Sequence, residues 1–213
     1  MNLRVPGPTP CPEEVLLAGA RPMVNHRGPE FKDLIARVSG RLQQVFETEN
    51  QVITLTASGT GALEALITNT LSPGEKVLVV NIGEFGERAA RIAEAYGAQV
   101  VRLDLPMGAA ADPDALREAL GREPGVKAVM LTHNETSTGV TNDLEALART
   151  VKEAGKLLLV DGVSSVGCIP VRTDAWGLDL VATASQKGLM APPGLAFVAV
   201  SPLGWQAVRN ARM

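Results

Sequence analysis

Short runs of branched apolar residues constrain this chain more than any other feature. They read "QVITLTA" (51–57), "KVLVVN" (76–81), "QVVRLD" (99–104), "VKAVMLT" (126–132), "KLLLVD" (156–161), "LDLVATA" (178–184) and "LAFVAV" (195–200). Runs of this length bounded by turn residues read as strands, and near-continuous Val, Leu and Ile means that both strand faces are covered. Amphipathic segments lie before and between them. "FKDLIARVSGRLQQVF" (31–46) puts Phe31, Leu34, Ile35, Val38, Leu42, Val45 and Phe46 at helical spacing. "TGALEALITNTL", "FGERAARIAEAYG", "DPDALREAL" and "NDLEALARTVKEAG" also read as helices, the last opening with Asn142 and Glu145 at capping-box spacing. Strands alternating with helices predict βαβ units: an α/β fold of three layers, α/β/α, around a mainly parallel sheet. Right-handed crossovers then align the strand C-termini along one edge, where ligands bind. Residues 1–28, rich in Pro and Gly, predict an extended arm ahead of one large domain spanning 29–213.

Composition narrows the class. An apolar share of 46% and a charged share of 20% suit a globular domain with a sizeable core. The net charge of -3, with no basic block, offers no footprint for nucleic acid or an anionic membrane. The sequence has no apolar stretch of about 18 residues and no signal-peptide layout, which points to a cytoplasmic protein. The two cysteines, Cys11 and Cys168, lack partner spacing and are expected as buried small side chains in a reducing compartment. The two histidines, His26 and His133, show no ligand spacing, so no metal is expected.

Chemistry-bearing residues follow the strands. After "QVITLT" comes Ala57-Ser58-Gly59-Thr60-Gly61 and then a helix. Such a turn presents backbone N–H groups and a positive dipole end to a phosphate, although it also reads as an ordinary capped turn. It lacks the lysine of a Walker loop and, at Glu64, the third glycine of the dinucleotide fingerprint. Asp161 ends a very apolar strand, where a carboxylate is costly unless paired or hydrogen-bonded; an Asx-type turn is the plainer reading. His133, Asn134, Glu135 and Thr136 end another strand, and His133 reads as a hydrogen-bonded loop residue. Gln186 and Lys187 follow "LDLVATA" among small residues and a Pro192-Pro193-Gly194 brace, unusual company for a solvated turn lysine. A phosphate cradle, a buried acid and a lone lysine together match pyridoxal 5′-phosphate. That cofactor uses a lysine on its aldehyde and a carboxylate against its ring nitrogen.

The stretches "PGPTPCPEEVL", "NHRGPEF", "ASGTGALEA", "NIGEFGERA", "THNETSTGV", "LLLVDGVSSVG" and "ATASQKGLMAPPG" carry a family resemblance in order from residue 5 to about 200. The chain resembles the class V, fold-type I, pyridoxal-phosphate aminotransferases, within them the alanine–glyoxylate and serine–glyoxylate group. The resemblance implies Lys187 as the cofactor lysine and Asp161 as the pyridinium partner. It implies Ser58, Gly59 and Thr60 as the phosphate turn, with Gln186 a further phosphate contact. Thr136 would lie near the ring oxygen, Val163 against one ring face, and Phe85, often tryptophan in relatives, against the other. The implied reaction moves an amino group between alanine or serine and glyoxylate or pyruvate. The implied assembly is a homodimer. Members of the family continue beyond the point matching Met213 into a C-terminal small domain with the arginine that grips the substrate carboxylate, so the chain is expected to be the cofactor-binding part.

Three other readings fit the same sequence. A catalytically inactive remnant could bind a partner. A cysteine desulfurase shares the fold but typically has histidines where Gln186 and Phe85 stand. A nucleotide-binding oxidoreductase domain could use the Ser58–Gly61 turn, against the missing glycine fingerprint.

Overall fold

A computed structural model describes residues 3–212. The chain opens with α1 (Glu13–Gly19), inside the segment expected as an arm, and α2 (Pro29–Phe46). Then follow β1 (Gln51–Leu55), α3 (Gly59–Thr68), β2 (Lys76–Asn81), α4 (Glu84–Ala95), β3 (Gln99–Asp104), α5 (Pro113–Arg122) and β4 (Val126–Thr132). A small antiparallel pair, β5 (Asn134–Glu135) and β6 (Val140–Thr141), precedes α6 (Leu144–Glu153). The chain continues through β7 (Leu157–Asp161), β8 (Leu180–Ala184), β9 (Ala196–Val200) and α7 (Pro202–Asn210).

The main sheet has seven strands in the order β1-β9-β8-β7-β4-β2-β3. From β8 to β3 every pairing is parallel. Only β9 runs the other way, antiparallel to both β8 and β1. The fold is thus the mainly parallel α/β/α arrangement expected, with one reversed strand that apolar patterning alone does not reveal.

The strands are covered on both faces, which is why they read as unbroken apolar runs. Along β2, Leu78 and Val80 join one core with Leu42, Phe46, Leu116, Leu144 and Leu147 from α2, α5 and α6. Val77 and Val79 point the other way, into a second core with Leu63, Leu66, Ile67, Ala89 and Ala93 from α3 and α4. The period of two along a strand sorts one sequence into two hydrophobic layers.

Register sets the functional edge. Thr132 of β4, Asp161 of β7 and Ala182 of β8 lie side by side. The ends of β1, β2, β4, β7 and β8 therefore open on one rim. Because β9 is reversed, the chain between Ala184 and Ala196 turns back at that same rim.

One capping detail differs from expectation. Asp143, not Asn142, caps α6, its side chain accepting from the Ala146 N–H at 3.0 Å. Asn142 is buried, accepts from the Ala111 N–H at 2.8 Å and donates to the Thr132 carbonyl at 2.8 Å. Its amide instead ties the loop at Ala111 to the end of β4 in the interior. Among the described residues, no helix is long and apolar enough to cross a membrane.

Candidate active site

The turn after β8 is built around Ser185. Its hydroxyl donates to the Pro192 carbonyl at 2.7 Å and accepts from the Leu195 N–H at 3.3 Å. The prolines therefore brace the loop through a carbonyl that the buried serine can reach. Lys187 sits within this loop, half-buried, its Nζ donating to the Pro6 carbonyl at 3.1 Å. Thr9 ties the same arm down: its hydroxyl reaches the carbonyls of Gln186 at 3.1 Å and Lys187 at 2.9 Å. Gly188 has no room for a side chain, since a Cβ there would meet the Val166 carbonyl oxygen at 2.5 Å. The lysine's backbone is thus pinned on one side by the arm and on the other by residues 166–168.

Asp161 is 3% exposed. Its Oδ1 accepts from the Val163 N–H at 2.9 Å, the Asx-type turn that the sequence allowed. Oδ2 takes part in no hydrogen bond among the described residues. Burial pushes the carboxyl up to about 6; the Val163 N–H, Lys187 and Arg88 pull it down, and the charge of Glu135 adds to the rise. A carboxylate in this state gains most from a cationic partner at Oδ2.

Ser58 caps α3 by accepting from the Gly61 N–H at 3.2 Å. The N–H groups of Gly59 and Thr60 are left open at the helix start, as the first turn of any helix dictates. Gly59 lets the helix approach the sheet, since a Cβ there would lie 3.1 Å from Val163 and 3.3 Å from Ala184.

Phe85 opens α4, and a buried acid sets its position. Glu135 is 0% exposed. Its carboxylate accepts from the N–H groups of Phe85 at 3.1 Å, Gly86 at 3.3 Å and Ser137 at 3.1 Å, and from the Ser137 hydroxyl at 2.7 Å. Arg88, one turn further on, lies over the Phe85 ring with its guanidinium carbon 4.6 Å from the centroid.

These elements enclose a cleft of about 280 Å³. Ser58, Gly59, Thr60, Phe85, Asp161, Val163, Gln186 and Lys187 all line it. Thr136 does not; its hydroxyl lies 2.6 Å from that of Ser164, because the chain has already turned into the β5–β6 pair. His133 is buried edge-on to Trp176, its ring centroid 6.4 Å away, with Nδ1 unpartnered among the described residues rather than hydrogen-bonded as expected. Burial pushes its imidazole down to about 4, so it is neutral near pH 7. The cysteines depart from expectation too: both are free, but Cys11 is half-buried and Cys168 exposed, since each lies in a loop. Sequence reading missed Arg88, Gly7 and Pro8, which also line the cleft. It also missed the burial of Glu135, although that residue stood in a polar cluster at a strand end. A larger hollow of about 590 Å³ lies beside Glu47 and Asp174, where β1 begins. There Asp174 is already engaged by the Thr48 hydroxyl, the Glu49 N–H and the Asn50 amide.

The cleft suits pyridoxal 5′-phosphate on the chemistry of its donors. It has one amine at Lys187, an unpartnered carboxylate oxygen at Asp161 and open N–H groups at the start of α3. The Gln186 side chain also faces the cleft, its amide NH₂ able to donate to a phosphate, while its Oε1 is buried with no hydrogen-bond partner among the described residues.

The mainly parallel sheet thus brings a lysine and a buried acid to one rim of a single cleft. The family model for class V aminotransferases matches residues 7–209, and the chain belongs to that family. Its cofactor is pyridoxal phosphate. The chain is 47% identical to the small subunit of a soluble hydrogenase from Synechococcus sp. (strain PCC 6716), covering 99% of this chain and 56% of that protein. It is 41% identical to an L-aspartate–glyoxylate aminotransferase from Paracoccus denitrificans, covering 98% and 54%. The crystal structure of an alanine–glyoxylate aminotransferase from Nostoc sp. superposes with a TM-score of 0.94 at 37% identity, covering 98% of this chain and 55% of that one. The chain spans about half the length of the curated relatives it matches.

Proposed function

We propose that this chain is the cofactor-binding part of an aminotransferase that moves an amino group between alanine or serine and glyoxylate or pyruvate. The carrying observation is that Lys187 and Asp161, from two different strand ends, face one cleft with the open N-terminus of α3. When bound, the cofactor supplies an aldehyde for amine exchange and a ring that takes up electrons from the substrate carbon. Lys187 would bond that aldehyde, then, released as an amine, carry a proton to and from the substrate carbon. Asp161 would hold a proton on the ring nitrogen, its cost of burial repaid by the cationic partner. Gly59 and Thr60 would bind phosphate through their N–H groups, with Gln186 beside them. Phe85 and Val163 would pack on the ring. Glyoxylate as acceptor is supported by the names of the two aminotransferase relatives, which differ in donor, aspartate or alanine. The proposed working assembly is a homodimer in the cytoplasm.

The test is direct. The protein is mixed with pyridoxal phosphate, reduced with borohydride and digested. The pyridoxyl label is expected on the Lys187 peptide and absent from Lys187→Ala. Label spread over other lysines would refute the reading.

A further inference from the structure

Arg88 is the one cationic side chain on the cleft wall besides Lys187, among the described residues. Two contacts fix it. Its guanidinium lies over the Phe85 ring, and Nη1 donates to the Thr60 hydroxyl at 3.4 Å. Nη2 is 3.9 Å from Glu84 Oε1, an ion-pair distance too long for a hydrogen bond. A guanidinium has five N–H donors, and among the described residues only the one to Thr60 is used.

Thr60 is the second residue of α3, beside the open Gly59 and Thr60 N–H groups. A planar cation, a hydroxyl and a helix N-terminus therefore converge on one wall of the cleft. Such a set suits a dianion with several oxygens. Stacking on Phe85 orients the guanidinium in advance, which lowers the cost of ordering it around an anion.

We propose that Arg88 completes the phosphate site and selects the phosphorylated form of the cofactor over the unphosphorylated aldehyde. This rests on the cofactor reading above. Asp161 and Lys187 would hold the ring ends common to both aldehydes, so the phosphorylated form would lose more than the unphosphorylated one without Arg88.

Wild-type protein, Arg88→Gln and Arg88→Lys are titrated with pyridoxal 5′-phosphate and with pyridoxal, and uptake is measured by equilibrium dialysis. Inorganic phosphate is added as a competitor, and thermal melts compare the variants' folds. Arg88→Gln is expected to weaken pyridoxal 5′-phosphate by about tenfold or more, the scale of a lost charge-assisted contact, and to weaken pyridoxal far less. Phosphate should compete less well against the variant, and Arg88→Lys should recover part of the loss. Equal weakening of both aldehydes would overturn the proposal, assigning Arg88 to the placement of Phe85 instead. So would unaltered cofactor affinity with weakened amino-acid binding. Wild-type protein that takes up neither aldehyde and gains no label at Lys187 would overturn the cofactor reading, and this proposal with it.

Discussion

The Lys187 ammonium donates to the Pro6 main-chain carbonyl at 3.1 Å, so the lysine meets the N-terminal arm across almost the whole length of the chain. A Cβ on neighbouring Gly7 would lie 2.6 Å from that Nζ. Gly7→Ala must displace either the arm or the amine. We expect a lower yield of borohydride-fixed pyridoxal at Lys187 within a fixed time, with the thermal melt little changed. A yield equal to wild type would show that the arm does not constrain the amine.

Asp161 predicts a pH dependence of stability. Its folded carboxyl titrates at about 6 against 3.8 for the free group, so the folded state binds the proton more tightly. Its contribution is fully present below pH 3.8 and is lost as pH rises through about 6, a change on the order of 3 kcal/mol. Asp161→Asn removes this dependence. His133 works in the opposite sense, being held near 4, so the informative quantity is the difference between variant and wild type at each pH. In urea titrations without cofactor, Asp161→Asn should gain on wild type between pH 4 and 7. A constant difference across that range would contradict the assignment.

Glu135 holds the start of α4 from inside the protein. Glu135→Gln places an amide NH₂ where N–H donors already point, and should cost about 1–3 kcal/mol. The same change should loosen cofactor binding by releasing Phe85. Urea denaturation and cofactor titration report the two effects, and an unaffected midpoint would dismiss the capping role.

Two glycines should respond in opposite directions. Gly188→Ala drives a Cβ into the Val166 carbonyl and to within 2.9 Å of Cys168 Sγ, and is expected to destabilise by about 1–3 kcal/mol. Gly40 lies within α2, and among the described residues nothing outside its chain neighbours and its own helix backbone comes within 4 Å of its Cβ position. Gly40→Ala should stabilise by about 0.5–1 kcal/mol. Melting temperatures that moved together would defeat the argument from local space.

Much of the site could be read along the chain because a strand covered on both faces must stay apolar until it leaves the sheet. The polar residues that close such a run, Asp161 after "LLLV" and Ser185-Gln186-Lys187 after "LVATA", then mark the rim. Arg88 gave no such signal. A charged residue on an amphipathic helix reads as solvent-facing, and only the packing of α3 beside α4 brings Thr60 within reach of it. Glu135 was visible as a polar residue, but its burial depends on the helix start laid over it. Asn142 looked like a cap because spacing cannot distinguish a surface helix end from an interior bridge.

Apolar periodicity along the chain was enough to establish the strands, the helices, the mainly parallel sheet and the rim, because burial on one or two faces is a local demand on residue type. Convergence was not local. That β9 reverses, that Pro6 reaches Lys187, and that Arg88 leans on Phe85 toward Thr60 depend on strand order and helix packing. Those relations join residues with no sequence pattern in common, so only the folded chain decides them.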